Sequence, residues 1–472
     1  MHLKTISLIS ICSLITACGG GGSSSTTPDN SNSGTNTSNT LSLVAKYKDA
    51  CGNEVLASDA ALLIHNEDYS NKEIITADQN GKLTYQSTNS TQTISIVMPG
   101  QNKVGNITPI NIATFIDYPI KDMGEFIDYT YETDACSCQT FNLQVSTPAR
   151  ANDIGQGKIF GIEGAANISS YRGQNHFDNF MVCKKQSGDW PLVSTIINFD
   201  SPSESFAAYI PDIANTTVIN AENQGKIVDI STNDYSANKR VTTVINELNS
   251  LRSYTFDSSQ NVYAFEHSDV KYYDVSAYTV DFMYQFPEVD EAVFIKSSTN
   301  NTTDIDKSFD LPIPDIAADK LLDILISDSG HYDLSQSASL DYMAVGLNAL
   351  SAGEDILNWT VIAPASGQVP QIENIDISNF ISDSALESAT DEIELTAITK
   401  SLSGIDGYQD YLSSRASLPI LEFTKEKAKA SESAFLSITL NNASLQGLSN
   451  LPNSSQKIKA YAANKFLITA NN

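Results

Sequence analysis

Positive charge is scarce in this chain. Its 472 residues include 28 Lys and Arg against 56 Asp and Glu, which gives a formal net charge of -28 at pH 7. Between Lys320 and Lys400 there is no Lys or Arg, whereas thirteen acidic residues fall in that stretch. Nucleic-acid binding depends on cationic side chains that displace counterions from phosphates. Nucleic acid is therefore not an expected partner, and the acidic residues predict a solvated face.

Motifs that carry catalysis are also missing. The chain contains no His-Glu-x-x-His, no Gly-x-Ser-x-Gly and no glycine-rich phosphate loop. Residues 327–331 bring Ser, Asp and His together, but a triad takes its geometry from separate elements, so this segment predicts an acidic loop. We interpret the chain as a non-catalytic binding or structural protein, with an unknown protein or carbohydrate as ligand. The alternative is a carbohydrate- or peptide-active hydrolase with paired carboxylates in the C-terminal domain.

Long apolar runs are absent apart from one, Ile6 to Ala17, which is too short to span a membrane because a spanning helix needs about 20 residues. A basic residue, Lys4, precedes it, as in a secretory signal. The run ends in Ile15-Thr16-Ala17-Cys18, which resembles a bacterial lipobox. The resemblance implies cleavage before Cys18 and its lipidation, and Gly19 favours the outer membrane, with a body that faces either the cell surface or the periplasm. An ordinary signal peptide with a coincidental Cys is the alternative.

Residues 19–40 contain almost no apolar side chain and are rich in Gly, Ser, Thr and Asn. Such a composition buries too little surface to offset its ordering entropy. After a signal peptide over 1–18, the sequence therefore predicts a disordered tether over 19–40. A flexible chain of that length spans roughly 25 Å.

Four cysteines follow the tether, namely Cys51, Cys136, Cys138 and Cys183. An even number in an oxidising compartment predicts two disulfides. Cys136 and Cys138 would bridge each other only with strain, because both point to the same side of a strand. We expect one of them to pair with Cys51 and the other with Cys183. The alternative is a zinc site, but no His stands at a usual ligand spacing.

Residues 41–135 read as short strands broken by turns, with Asp78 to Gly81 as a tight turn that suits a hairpin. A family resemblance rests on Asp49, Gly52, Val55, Ala60 and Leu62, followed by residues 76–83. These residues resemble the carboxypeptidase regulatory-like domain, a transthyretin-like β-sandwich. That resemblance implies an accessory or spacer module without catalytic activity of its own.

An internal regularity supports further modules. The segment Ser205–Ala214 recurs as Ser308–Ala317, and Phe180-Met181 recurs as Phe282-Met283 at nearly the same offset. Two matched landmarks predict tandem units of about 100 residues, a length typical of a β-sandwich. We therefore expect a mostly β protein of tandem Ig-like or transthyretin-like sandwiches, with repeats at 136–236 and 237–327. An acidic β-rich domain at 328–472 completes the chain and is a candidate third repeat.

Two sets of residues are candidate binding sites. In Tyr278–Phe286 every second residue is apolar, which predicts a core strand; the alternative is an aromatic platform for sugars or peptides, joined by Tyr254, Tyr263, Tyr272 and Tyr273. Hard oxygen ligands come from Asp229, Asp234, Asp304 and Asp306. Both stretches lack the full calcium-loop spacing, and a calcium-stabilised adhesin-like module, with Ca²⁺ at these residues, is a further alternative. No other cofactor is expected.

Overall fold

The computed structural model describes residues 39–441 apart from short internal segments, so the signal sequence, Cys18 and residues 19–38 of the predicted tether lie outside the described residues. The last two residues of the predicted tether, Asn39 and Thr40, instead begin the first strand, so the tether was predicted two residues too long. The internal gaps are residues 50, 101–103, 105, 130–134, 154–155, 161–166, 172–173, 201–202, 217, 247–248, 255–260, 283–290, 327–329, 336–339, 353, 371–375, 383–389, 391, 417–422 and 425. Strands dominate the described residues and pack in several sheets, so the predicted mostly β, sandwich-forming class is confirmed.

The N-terminal part is a β-sandwich of eight strands. Their bounds are Asn39–Lys48 (β1), Glu54–Leu56 (β2), Ala61–His65 (β3), Asn71–Thr76 (β4), Lys82–Ser87 (β5), Thr91–Pro99 (β6), Ile110–Pro119 (β7) and Asp122–Tyr129 (β8). In one layer β1 pairs with β2, β5 and β8. The other layer contains β4, β3, β6 and β7. Alternate residues of β1, among them Leu41 and Leu43, are buried against the second layer, which is the period of two expected of a half-buried strand.

A second sandwich follows directly. Its strands are Cys136–Ser146 (β9), Gln156–Phe160 (β10), Asn167–Tyr171 (β11), Gln174–Lys185 (β12), Val193–Asp200 (β13), Ser203–Ile210 (β14), Val218–Asn220 (β15) and Asn223–Gln224 (β16). One sheet has the order β10-β13-β14-β16 and the other β11-β12-β9-β15. Aromatic residues from both sheets, including Phe177 and Phe206, share one core.

The remaining elements are fourteen strands and two helices. The strands are Lys226–Ile227 (β17), Ile230–Ser231 (β18), Asn238–Asn246 (β19), Asn249–Tyr254 (β20), Tyr263–Ala264 (β21), Tyr272–Phe282 (β22), Glu291–Thr302 (β23), Phe309–Asp310 (β24), His331–Asp333 (β25), Tyr342–Ser351 (β26), Glu354–Ala363 (β27), Ser366–Gln368 (β28), Glu392–Leu402 (β29) and Ala430–Asn441 (β30). The helices are Ala318–Ile326 (α1) and Gly407–Ala416 (α2).

One large sheet, here called the central sheet, joins the first and last parts of the chain. Its described strands run in the order β20-β19-β22-β23-β30-β29-β26-β27-β7-β6-β3-β4. The joint is a parallel pairing of β7 with β27, in which Ile112 lies opposite Trp359. One layer of the N-terminal sandwich is thus the end of a sheet that continues into strands from residues 342–441 and, beyond them, from residues 238–302.

The two helices cover opposite faces of the central sheet. In α1, Leu321, Ile324 and Leu325 recur at the spacing of one helix face, and they are buried in the core cluster that contains Leu395 and Ile438. On the other face, α2 packs Tyr408, Tyr411 and Leu412 over the ends of β26 and β27. The Tyr408 hydroxyl lies 2.8 Å from the carbonyl oxygens of both Ile116 and Ile362, which ties α2 to the joint between β7 and β27.

The turn predicted at Asp78 to Gly81 forms, but it does not close a hairpin. Gly81 has φ of 69°, and its N–H donates to the Asp78 carbonyl at 2.9 Å. The strands on either side have different partners, because β4 pairs with β3 and β5 pairs with β1. The chain therefore crosses from one layer to the other at this turn.

The aromatic face of β22 is not its core face, so this expectation was wrong over the described residues. Tyr278 and Val280 are half-buried and Phe282 is 48% exposed, whereas Val275, Ala277 and Thr279 on the opposite face are buried. The short ribbons formed by β17 with β21 and by β18 with β24 cover that opposite face. Residues 283–286 of the predicted strand lie outside the described residues.

The two matched segments of the sequence have different structures. Ser203–Ile210 is a strand that pairs along its whole length with β13. In the second segment only Phe309–Asp310 is a strand, and it pairs in parallel with β18 before the chain enters α1. The domain boundaries at 135/136, 236/237 and 327/328 stay predictions.

No helix in the described part of the chain has the length and apolar character needed to cross a membrane.

Candidate functional site

An open cleft of about 500 Å³ lies where the second sandwich meets the segment that follows it. We call it the acidic cleft. Its lining residues are Glu266, His267, Ser268, Tyr273, Thr303, Asp304, Ile305 and Asp306. Three of these eight side chains are carboxylates, so the cleft presents mainly acceptor groups and negative charge.

Three chain segments position the lining, one of which is β22 with Tyr273. The first leaves β21 through Phe265, which is fully buried and packs with Tyr263 against Ile196 and Ala207 of the second sandwich. This apolar junction fixes Glu266, whose carbonyl oxygen accepts a 2.7 Å hydrogen bond from the Asn223 amide. The second segment follows β23.

The second segment is held by local hydrogen bonds that suit its alternating aspartates. The Asp304 N–H donates to the Thr302 hydroxyl oxygen at 3.0 Å, and Asp304 Oδ1 accepts from the Asp306 N–H at 3.0 Å. Such side-chain to backbone bonds are what Asp and Thr form in turns. They place Asp304 and Asp306 side by side at the cleft.

The charges in the cleft are only partly compensated. Lys226 of β17 forms an ion pair with Asp306. Burial, followed by the negative charge of Glu266, raises the pKa of the Tyr273 hydroxyl, so this side chain stays protonated and is able to donate a hydrogen bond. The cleft therefore combines carboxylate acceptors with one neutral hydroxyl donor.

His267 is packed on the sandwich side of the cleft. Its ring packs against that of Tyr209 of β14, with 4.2 Å between ring centroids and a tilt of 37° between the ring planes. Its Nδ1 atom accepts a hydrogen bond from the Asp269 N–H at 3.2 Å, and the Tyr209 hydroxyl donates to the Phe265 carbonyl at 3.3 Å. These contacts hold the imidazole in place at the edge of the cleft.

The four calcium candidates do not come together. Asp304 and Asp306 line the cleft, whereas Asp229 accepts a 2.6 Å hydrogen bond from the Ser308 hydroxyl. Asp234 accepts from both the N–H and the hydroxyl of Ser236 within a turn. Among the described residues, no three of the candidate carboxylates have oxygens within 4.8 Å of one another. The sequence pattern thus located two residues of the cleft without defining a metal site.

Three of the tyrosines expected to join the aromatic platform are not open to solvent, since Tyr263, Tyr272 and Tyr273 are 6%, 8% and 6% exposed. Tyr263 packs against the second sandwich, and Tyr273 packs under the ribbons that cover β19 and β22. Burial raises the pKa of Tyr272 to about 12. Tyr254 ends β20. These three buried rings form no open aromatic surface, and of the three only Tyr273 lines the cleft.

Both predicted disulfides form, with Cys51 joined to Cys136 and Cys138 joined to Cys183. The first joins the turn after β1 to the start of β9, and thus links the two sandwiches. The second connects facing residues of β9 and β12 within one sandwich, so only the first staples consecutive units. Asp49 lies within 4.8 Å of the first pair of sulfurs, but these are bonded to each other and so do not supply metal ligands.

A buried Ser–His contact escaped the sequence reasoning. His65 Nε2 lies 2.7 Å from the Ser95 hydroxyl, and His65 and Ser95 are 1% and 0% exposed. No substrate reaches so enclosed a pair, which makes it part of the core. The only signal in the sequence was a His in an apolar stretch that leads into Asn66.

Comparisons with known proteins add little. No family model matches the chain, and no curated protein matches it. Among solved structures, the search matches a Streptococcal ancillary pilin at 8% sequence identity, covering 59% of this chain and 100% of the pilin chain, with a TM-score of 0.12. A likeness at that score carries no argument about fold or function.

Proposed function

We propose that the chain is a lipid-anchored protein of the bacterial cell envelope that acts as a non-catalytic binding module, with its ligand in the acidic cleft. The observation that supports this is the cleft itself. It is open, measures about 500 Å³, and is lined by Glu266, Asp304 and Asp306 around the Tyr273 hydroxyl. Carboxylates bind groups that donate hydrogen bonds, and they bind cations most strongly.

The charge of the cleft favours a basic peptide segment as ligand. Lys226 offsets one of the three carboxylates, which leaves two without an ion-pair partner among the described residues. A Lys or Arg side chain would gain charge-assisted hydrogen bonds there, and its apolar stem would lie against Ile305. A carbohydrate offers donors but no positive charge, so it is the second choice.

The anchor is proposed from the sequence. Cys18 stands in a lipobox-like context, and lipidation at this residue would tether the β-rich body to the outer membrane. Two disulfides within the described residues suit a compartment outside the cytoplasm. We further propose that residues 41–135 are a carboxypeptidase regulatory-like spacer that separates the cleft from the membrane.

Lipidation is tested by metabolic labelling with a clickable fatty acid. We expect the wild-type chain and the Cys12→Ser variant to take up the label, because Cys12 lies within the apolar run, and we expect Cys18→Ser to lose it. Retention of the label by Cys18→Ser would overturn the anchor. Protease treatment of intact cells then separates the two orientations, since a surface-facing body is digested and a periplasmic one is protected.

Ligand binding is tested with a fluorescent Lys-rich decapeptide at low salt, read by anisotropy. We expect the double variant Glu266→Gln, Asp304→Asn to bind it at least tenfold more weakly than wild type. Glu67→Gln, which removes an exposed charge on the N-terminal sandwich, should bind like wild type. Equal affinity in all three proteins would place peptide binding outside the cleft, and binding on a glycan array instead would identify the ligand as a carbohydrate.

A further inference from the structure

A row of polar side chains crosses the central sheet. It lies on the same face as α2, but α2 packs on a different part of that face, several residues away along the strands. Glu394 of β29 lies opposite Asn348 of β26, which in turn lies opposite Asn358 of β27. Asn348 and Asn358 are each 7% exposed. Polar residues in the interior of a sheet face are costly unless their groups are paired.

A β-bulge adds a carboxylate to this row. The pairing of β26 with β27 shifts between Ala349 and Leu350, so that Leu357 faces Ala349 while Asp355 faces Leu350. The extra residue, Ile356, is buried together with Leu357 in the core on the α1 side. Because Asn348 and Leu350 share a face, their partners Asn358 and Asp355 share it too.

The row contains two carboxylates, Asp355 at the bulge of β27 and Glu394 on β29. Loss of water around its carboxyl, and after it the negative charge of Glu394, raises the pKa of Asp355, although the residue as a whole is exposed. Glu394 is oriented by two donors, the Asn348 amide at 3.1 Å and the Ser437 hydroxyl at 2.7 Å. Neither carboxylate has an ion-pair partner in the described part of the chain.

The second observation is an unsatisfied amide oxygen. Asn358 Oδ1 is buried and accepts no hydrogen bond from any residue that the structure describes. Leaving such an acceptor unpaired costs about 1–3 kcal/mol. Asn358 lies between Asn348 and Asn111, but Asn348 donates to Glu394 and Asn111 donates to Asp128 at 2.8 Å, so neither neighbouring amide satisfies it.

We propose that Asp355, Asn358 and Glu394 form a binding site for a divalent cation, with Ca²⁺ as the best fit. Carboxylate and amide oxygens are the ligands that Ca²⁺ prefers. A cation there would satisfy the Asn358 oxygen and offset both negative charges at once. The hydrogen bonds from Asn348 and Ser437 act as the outer shell that fixes a ligating carboxylate.

This site is separate from the acidic cleft and does not depend on the function proposed for it. Its ligands lie on β27 and β29, with supporting donors on β26 and β30, so the ion would fasten four neighbouring strands of the central sheet. An ion that binds the folded chain but not the unfolded chain stabilises the folded state by mass action. The role we infer is therefore structural.

The test uses the full chain, treated with chelator and then titrated with CaCl₂ by calorimetry, together with thermal unfolding. We expect saturable binding by wild type and a higher melting temperature with Ca²⁺ than with chelator. Asp355→Asn and Glu394→Gln, which keep side-chain size and remove a charge, should each weaken binding at least tenfold. The matched control is Glu354→Gln, an exposed neighbour of Asp355, which should bind like wild type.

Three outcomes would overturn the proposal. The first is no saturable binding by wild type at millimolar Ca²⁺. The second is wild-type affinity in both Asp355→Asn and Glu394→Gln. The third is loss of binding in Asp304→Asn, Asp306→Asn, which would place the ion in the acidic cleft.

A further variant keeps the proposal testable if removing a charge prevents folding. Asn358→Asp replaces the unpaired amide oxygen with a carboxylate of the same size. We expect it to bind Ca²⁺ at least tenfold more tightly than wild type, because a third negative ligand is added. Unchanged or weaker affinity in a folded Asn358→Asp chain would contradict the site.

Discussion

His65 belongs to a buried chain of hydrogen bonds that requires a neutral imidazole. The Trp359 indole N–H donates to Thr114 Oγ1 at 2.9 Å, and the Thr114 and Ser95 hydroxyls lie 2.6 Å apart. His65 Nε2 lies 2.7 Å from the Ser95 hydroxyl, and Nδ1 lies 3.0 Å from the Tyr69 carbonyl. The indole N–H can only donate, so the Thr114 hydroxyl donates to Ser95 and the Ser95 hydroxyl donates to Nε2. The Tyr69 carbonyl can only accept, so the imidazole carries its one proton on Nδ1.

The His65→Gln variant tests this requirement. Burial lowers the pKa of His65 from 6.5 to about 4, so between pH 4 and pH 6.5 the unfolded chain binds a proton at this residue that the folded chain does not bind. The contribution of His65 to stability is complete above pH 6.5 and falls as the pH drops towards 4, by about 3 kcal/mol in total. We expect urea unfolding of His65→Gln to show a flatter profile over this range. His331→Gln, at an exposed site, should keep the wild-type profile.

Asp128 has the opposite pH dependence. It is 7% exposed and its carboxylate accepts a hydrogen bond from Asn111, yet burial outweighs that bond and raises its pKa to about 6. The folded chain therefore holds the proton more tightly than the unfolded one, and stability falls as the pH rises from 3.8 to 6.

Asp128→Asn should remove this penalty. We expect the variant to be more stable than wild type at pH 8, by up to about 3 kcal/mol, and the difference to vanish near pH 4. Urea unfolding at the two pH values measures it. A variant that is less stable than wild type at pH 8 would show that the Asp128 carboxylate has a stabilising partner.

Sequence reasoning at the residue scale succeeded where function rests on neighbours in the chain. Asp304 and Asp306 alternate along one loop, so their spacing predicted that both face one site, and both line the acidic cleft, although the spacing predicted calcium ligands and not a cleft. It failed for Tyr263, Tyr272 and Tyr273, because exposure depends on which elements cover β22. Nor did any spacing relate Asp355 to Glu394, which are 39 positions apart in the sequence and come together only through sheet register.

At the scale of elements, the crossing turn at Gly81 depends on the absence of a side chain. A Cβ atom at this position would lie 2.5 Å from the Ala45 carbonyl oxygen, and the φ of 69° is unfavourable for any other residue. The Ala45 N–H in turn donates to the Gly81 carbonyl at 2.8 Å. The turn and β1 are therefore packed too closely for a side chain.

Gly81→Ala is expected to destabilise the N-terminal sandwich. The matched control is Gly407→Ala, since Gly407 also has positive φ, 76°, but nothing lies within 4 Å of the point that an alanine methyl group would occupy there. The free energy of unfolding of the control should fall by about 1–2 kcal/mol, because alanine is unfavourable at positive φ. That of Gly81→Ala should fall by about 1–3 kcal/mol more, because the methyl group also clashes with the Ala45 carbonyl oxygen. Thermal unfolding compares the two. Equal losses would show that the chain around Ala45 yields to the methyl group.

The error at β22 has a physical cause at the same scale. Alternation along Tyr278, Val280 and Phe282 identifies a strand, and a strand is present. Which face is buried depends on the ribbons of β17, β18, β21 and β24, whose pairing partners are distant in sequence. Periodicity gives the two faces but does not choose between them.

At the scale of the whole molecule, the parallel pairing of β7 with β27 makes two distant parts of the chain one structure. The bond from Trp359 to Thr114 crosses this joint in the core. We expect β6, β7, β26 and β27 to open together in hydrogen exchange under mild urea, as one cooperative unit. The second sandwich, with its own core, should open separately.

Thr114→Val tests this coupling. It keeps the shape of the side chain and leaves both the Trp359 indole and the Ser95 hydroxyl short of a partner, at a cost of about 1–3 kcal/mol. Protection from exchange should fall on both sides of the joint, in β6 and β27, and stay unchanged in β13 and β14. Thr195→Val, at a buried site in β13, should lower protection in β13 and β14 and leave it unchanged in β6 and β27. Loss of protection on one side alone would mean that the two parts open independently.

The sequence by itself determined the local features of this protein. The class of fold, the turn at Gly81 and the expectation that Cys136 and Cys138 do not pair with each other all follow from patterns within a few residues or from simple steric limits. The tertiary structure decided the rest: which of these two cysteines pairs with Cys51, the continuous central sheet, the buried face of β22, and the placement of Asp355, Asn358 and Glu394 on one sheet face. Those features depend on strand partners far apart in the chain, and hydrogen bonding along a strand edge accepts many partners until side-chain packing selects one.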